Sequence, residues 1–148
     1  MTVLLRIIFI IKNYRGGIMS NWINYDFEIR VRNILLNSSY KADPTHHFGR
    51  PFLSPYQIAI EYDKLYHNDV LAMGYVIGGK GSNTKTSLAQ YIARELSSRI
   101  KDYSISDIEG GFFSNQDLAE ISFNYNNKIV SSVTNSDKDL SLFRIIEV

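Results

Sequence analysis

Nine small, polar or basic residues, Gly78 to Thr86, separate an apolar segment from an amphipathic run that opens at Ser87. This arrangement constrains the fold more than any other stretch, because glycine-rich backbone cannot continue a helix or strand and Ser87 is a good first cap for the helix that follows. Gln90, three residues on, supplies the partner of a capping box. Stepping at about 100° per residue places Tyr91, Leu88, Ile92, Leu96, Ala89, Ile100 and Ala93 on one wide arc. Gln90, Arg94, Ser97, Ser98 and Lys101 fall opposite. Glu95 and Arg99 lie within the apolar arc, spaced four apart in the favourable order for an ion pair.

A second helix is signalled even more completely at Ser54. Pro55 suits the first helical position, Gln57 completes a capping box, and Leu53 with Ile58 forms a hydrophobic staple. The expected apolar stripe is Ile58, Tyr62, Leu65 and Tyr66, with Glu61, Asp63 and Lys64 in water. Upstream, a helix is expected from Tyr25 to Leu36, followed by a polar loop from Asn37 to Arg50 broken by Pro44. Val70 to Ile77 reads as a short buried strand or irregular apolar segment limited by Gly74.

Downstream, Gly110-Gly111 punctuates the chain and Ser114 is expected to cap a short helix through Ala119. Ile121, Phe123 and Tyr125 alternate, Asn126-Asn127 supplies a tight turn, and Ile129 to Val133 returns as the second strand of a hairpin. After a polar turn from Asn135 to Asp139, a last strand runs from Leu140 to Ile146. The fold class expected is therefore α+β: a small single domain of three or four helices with a C-terminal β-hairpin and strand, compatible with a winged-helix arrangement.

The 148 residues suffice for one core. Ten tyrosines and eight phenylalanines supply much of it, and zero cysteines exclude disulfides and thiolate metal sites, fitting a cytoplasmic location. Residues 1–18 stand apart from the domain expected over 19–148. Val3 to Ile11 is too short and too interrupted to span a membrane, and no cleavage pattern of a secretory signal follows it. Arg15-Gly16-Gly17-Ile18 is what a purine-rich ribosome-binding site looks like in translation, so one expectation is that Met19 is the biological start. The other is a first strand from Val3 to Ile11. The formal charge is +1, and it falls to −2 without this segment, which carries Arg6, Lys12 and Arg15 and no acid. A domain so balanced is not globally basic, so any nucleic-acid contact must come from a local patch.

Three functional readings meet at the glycine loop. Gly79 to Thr86 resembles the nucleotide-binding P-loop pattern GxxxxGK[ST], but Thr84 stands where the second glycine belongs and no downstream strand ends in a magnesium-binding aspartate. The second reading is a nucleic-acid-binding, primarily DNA-binding, module. In it Gln90 and Arg94 face base edges, Lys80, Lys85 and Lys101 neutralise phosphates, and Lys128 contacts the duplex from the hairpin tip. Gly78, Gly79, Gly81 and Ser82 form its anion-binding loop. In the third reading the loop is a connector and the chain binds another protein through aromatic anchors.

Other constellations point less far. His46-His47 with Asp43, and His67 with Asp69, are candidate metal ligands at spacings that match no metal motif, and Asp102, Asp107 and Glu109 read as caps and solvated turns. Arg50 is either an ion-pair partner or an anion contact, and Phe52-Leu53 leads the Ser54 helix onto the core. No serine sits in a GxSxG elbow. Neither a catalytic residue nor a cofactor is implied, and the partners expected are nucleic acid or protein, not membrane.

Overall fold

The computed structural model describes residues 14–15, 18–38, 45–133 and 138–146. The expected strand from Val3 to Ile11, Pro44, Asp43 and most of the turn after Asn135 lie outside the described residues. Strands β1 (Tyr14–Arg15) and β2 (Ile18–Met19) pair antiparallel. They are followed by helices α1 (Asn21–Asn24), α2 (Phe27–Leu36), α3 (Pro55–Met73) and α4 (Leu88–Lys101), with a 3-10 turn over Thr84–Thr86. Strands β3 (Ile108–Phe113), β4 (Glu120–Tyr125), β5 (Lys128–Val133) and β6 (Leu140–Ile145) complete the order. The fold is α+β. Among the described residues no helix is long and apolar enough to cross a membrane.

The core lies between α2, α3 and α4 and is built on stacked aromatic rings. Phe27 lies 4.6 Å from Tyr62 and 5.5 Å from Trp22, centroid to centroid, and meets the Tyr91 ring edge-on at 5.2 Å. Such pairs each contribute about 0.5–1.5 kcal/mol beyond the area they bury. From α4, Leu88, Ala89, Ile92 and Leu96 enter the same core, and the arc opposite, Gln90 through Lys101, is exposed throughout. Arg99 reaches inward from that helix, 6% exposed, with its guanidinium 4.7 Å from the Trp22 ring centroid and 3.2 Å from Glu95.

Helix α3 starts as its sequence dictates: Ser54 Oγ accepts the Gln57 amide at 3.2 Å and the Gln57 side chain accepts the Ser54 amide at 2.8 Å. It ends differently from expectation. Of the segment from Val70 to Ile77, expected as a short strand or irregular, Val70 to Met73 is instead the last turn of α3, because Tyr62, Tyr66, Val70 and Met73 continue one helical face; Gly74 then takes the left-handed cap (φ 77) and Tyr75 to Ile77 is irregular, with a single bridge at Val76. At Tyr66 the backbone leaves the helical region (φ −134, ψ 41). Arg30 clamps across this kink, donating to the Tyr62 hydroxyl at 3.1 Å and to Asp69 at 2.8 Å while lying 3.9 Å from the Tyr66 ring centroid.

The expected stripe of α3 is also corrected at two positions. Asp63 is 5% exposed, whereas Leu65 is 62% exposed. The buried face is centred on Ala59, Tyr62 and Val70; Asp63 lies about 100° from Tyr62 on the side that also buries Tyr56 and Ile60, and Leu65 lies about 60° the other way. The hairpin covers the Asp63 side. Its Tyr125 hydroxyl donates to Asp63, His67 Nδ1 sits 2.8 Å from the other carboxylate oxygen, and Tyr56 stacks on Phe123.

Strands β4 and β5 form the expected hairpin, with Asn126 and Asn127 both at positive φ (48 and 60), as the two-residue turn that matches strand twist requires. Gly110 and Gly111 are not punctuation but the middle of β3, paired with Phe143 and Leu142 of β6. A Cβ on Gly110 would come within 3.4 Å of the Phe143 ring, so the glycine permits close stacking of the strand on that ring. The helix expected after Ser114 is a turn. Ser114 Oγ accepts the Gln116 amide, Leu118 donates to the Asn115 carbonyl, and Asp117 is left-handed (φ 60), which ends any helix there.

Arginine ties join the peripheral segments. Arg50 donates to the Leu36 carbonyl at 2.6 Å, closing the C-terminal end of α2. Leu53 exchanges two backbone hydrogen bonds of 2.9 Å with Phe143, so β6 lies between β3 and Leu53. Arg144 pairs with Glu109 and stands over the Phe52 ring, and Arg32 holds Asp107 through two bonds, of 2.7 and 3.0 Å. Both acids are thus structural partners of arginines, while Asp102 caps the turn at Ser104.

Candidate nucleic-acid interface

The chain leaves α3 at Gly74 and returns at Ser87 through a loop fastened at its base. Val76 donates to the Thr86 carbonyl at 2.9 Å, and the Leu88 and Ala89 amides donate to Val76 and Ile77 at 2.8 and 2.9 Å. The Gln90 amide goes to Ser87 Oγ at 3.1 Å, and the Ser87 amide to the Thr84 carbonyl at 3.4 Å in place of a reciprocal bond from the Gln90 side chain. All four amides that a helix start normally leaves open are therefore used. An anion at this entrance meets side chains, not bare helix amides. The loop also lacks the strand that feeds a P-loop, since Val76 makes only a single parallel bridge to Ser87.

The outer part of the loop docks on the hairpin. Lys80 donates its amide to the Ser131 carbonyl at 2.7 Å, and Gly79 (φ 95) lies so close that a Cβ would stand 2.5 Å from that same carbonyl oxygen. Gly78 (φ 117) is pressed equally hard on the cap: a Cβ there would fall 2.1 Å from Ser87 Oγ. At both positions only glycine fits without displacement. Ser82 folds back on Gly79, its amide and hydroxyl both reaching the Gly79 carbonyl, at 3.1 and 2.7 Å. Gly81 (φ 85) turns in open space.

This docking creates a cleft of about 510 Å³. Its floor is formed by Tyr56 at the start of α3, Ala89 and Ala93 of α4, and Leu118, Ile121 and Leu140. Gly79, Lys80, Gly81, Ser82 and Gln90 line it, so five of the residues singled out in the sequence meet at one place. The other five do not line it. Gly78 lies behind the loop against Ser87, and Lys85 is exposed on the 3-10 turn. Arg94 is exposed one turn further along α4, 5.9 Å from the Tyr91 ring centroid. Lys101 ends that helix, about 16 Å from Gln90 at 1.5 Å per residue. Lys128 is exposed at the hairpin tip opposite Tyr125.

Four polar lining residues went unnoticed in the sequence: Asn115, Ser132, Lys138 and Ser141. Each sits in a segment whose local pattern signals only turn or strand, and only the packing of hairpin against loop brings them to the cleft. Asp139 lines it as well, and its carboxylate accepts the Asn115 amide at 3.0 Å, which holds the 114–118 turn against β6.

The histidines take no part. His46 stacks on His47 at 4.4 Å and Phe48 meets both rings edge-on at 4.6 Å, His67 pairs with Asp63, and Asp69 pairs with Arg30. Among the described residues no group of three or more histidines and acids is placed to hold a metal ion. Comparison with known proteins returned no matching family model, no matching curated protein and no matching solved structure.

Proposed function

We propose that this chain is a cytoplasmic nucleic-acid-binding protein that presents α4 and the glycine-lysine loop to a DNA duplex. The observation that carries this reading is the outer face of α4: Gln90, Arg94, Ser97, Ser98 and Lys101 are all exposed, and no acid interrupts them. Residues at this spacing follow one side of a helix for three turns, the length that enters a major groove. Gln carries the donor and acceptor that match an adenine edge, and Arg the paired donors that match a guanine edge. Lys80 and Lys85 extend the basic surface at one end of the helix and Lys101 at the other. In this reading the loop glycines shape the approach and the lysines supply the charge. The hairpin, with Lys128 at its tip, takes the place of the wing in a winged-helix arrangement.

The test is binding of a labelled duplex across a salt series. Association should be measurable at low salt and should weaken linearly in log–log form; changing Lys80 and Lys85 together to alanine should lower the slope by about two, and Arg94→Ala should relax sequence preference with little change of slope. No binding at low salt removes the proposal.

A second reading, a protein-interaction domain, is favoured by β3. Phe112 is 73% exposed and Phe113 half-exposed on a strand whose one sheet neighbour among the described residues is β6. Exposed apolar edges of this kind attract partner strands. Capture of a partner that is lost on Phe112→Ser, with no DNA association, would favour it.

A further inference from the structure

We infer that the cleft beside the loop is a pocket for a single nucleotide unit, with its planar base on the apolar floor and its phosphate toward Lys80 and Lys138. The inference rests on the nucleic-acid reading and deepens it: the α4 face meets the paired duplex, and the cleft at the N-terminal end of that helix takes one unpaired nucleotide.

Size is the first ground. A volume of about 510 Å³ lies within the range of pockets that enclose a small organic ligand, roughly 300–1,000 Å³, and is far too small for a helix. Chemistry is the second. Ala89 and Ala93 are the small residues of α4 that leave the floor open, while Leu118, Ile121 and Leu140 make it apolar. Around this floor Ser132 and Ser141 offer hydroxyls that can both donate to and accept from a base edge. The cations come from two separate segments, Lys80 on the loop and Lys138 before β6. Asp139 is the one acid among the described lining residues, so by formal charge the two lysines leave the lining one net positive charge. The lining therefore favours a ligand that combines an apolar planar face with an anionic group.

Pre-organisation is the third ground. The loop wall is pinned to the hairpin by the bond from Lys80 to Ser131, and the base of the loop to α4 by the bonds from Leu88 and Ala89, so the pocket exists before a ligand arrives. Placing an extrahelical base in a ready pocket costs least where the base is already unpaired.

The experiment compares a fully paired duplex with the same duplex carrying one unpaired nucleotide, and in parallel measures thermal shifts of the protein with free deoxynucleoside monophosphates. The bulged duplex should bind at least about tenfold tighter. Leu118→Trp, which fills the cleft from the turn side, should erase that preference, and Ser132→Phe, which fills it from the hairpin, serves if the first variant unfolds. Lys138→Ala should reduce the preference without filling the space. Equal binding of both duplexes, with no shift from any mononucleotide, overturns the pocket and leaves duplex binding standing. Stabilisation by mononucleotides without duplex binding supports the pocket and removes the duplex reading. Free nucleotides that bind while a bulge adds nothing assign the pocket to a small-molecule nucleotide and overturn its role on a strand.

Discussion

Two regions of this molecule use positive charge in opposite ways. Around the helical core, arginines are partnered within the fold: Arg30 with Asp69 and Tyr62, Arg32 with Asp107, Arg99 with Glu95 and the Trp22 ring. Around the glycine loop and the outer face of α4, Lys80, Lys85, Lys101 and Lys128 are exposed and have no ion pair among the described residues. The contrast follows side-chain chemistry, since guanidinium makes planar multi-point bonds that tolerate partial burial while ammonium is strongly hydrated and stays outside. It also separates what holds this fold together from what is left to meet a partner.

The largest expected effect comes from breaking the first region. Phe27→Ala removes a fully buried ring stacked between Trp22 and Tyr62 and should cost about 3–5 kcal/mol, measured by chemical denaturation. Gly79→Ala strikes the second region instead. A Cβ at positive φ against the Ser131 carbonyl should cost about 1–3 kcal/mol and detach the loop from the hairpin, seen as faster amide exchange at Lys80. Loss of binding with little loss of stability is the outcome expected there for Lys80→Ala, Lys85→Ala and Arg94→Ala, whose unfolding free energies should each move by no more than about 0.5 kcal/mol. A larger drop would mean that these side chains belong to the scaffold, and the contrast would fail.

Two pH effects sharpen the first region. The bond from Arg32 holds the Asp107 carboxyl below its ordinary range. A depressed folded value means that this contribution is complete above the unfolded pKa, near 3.9, and disappears as pH falls through the folded one. Asp107→Asn should therefore flatten acid unfolding below about pH 4, by less than about 1 kcal/mol because the side chain is 46% exposed. At the alkaline end, burial pushes the Tyr62 hydroxyl up to about 12. A raised folded value gives stability that is complete below the unfolded pKa, near 10, and is lost as pH climbs through the folded one. Tyr62→Phe should blunt that alkaline loss in a pH series of thermal melts.

Local signals read well wherever a short stretch settles its own geometry. Ser54 with Gln57, Ser87 before α4, and Asn126-Asn127 between β4 and β5 each act through neighbours within four residues, and each stands where the sequence places it. Gly110-Gly111 misled because glycine signals both a break and a close approach, and the Phe143 ring that makes it the latter is 33 residues away in β6. Asp63 misled because its partner is Tyr125, in a hairpin that no local pattern docks on α3. The candidate site divides the same way. Lys80, Gln90 and the loop glycines were legible from composition and helix phase, whereas Lys138, Asn115, Ser132 and Ser141 join them only through contacts distant in sequence.

By itself, the sequence determined where α3 and α4 start, which arc of α4 faces water and where the hairpin turns, because capping, helical phase and positive-φ turns act over a few residues. Tertiary structure decided that Gly110 and Gly111 belong to a strand, that Asp63 is buried, and that the loop closes a cleft against the hairpin. Those outcomes depend on which distant surfaces pack together, and packing is settled by the shape and burial of the whole core.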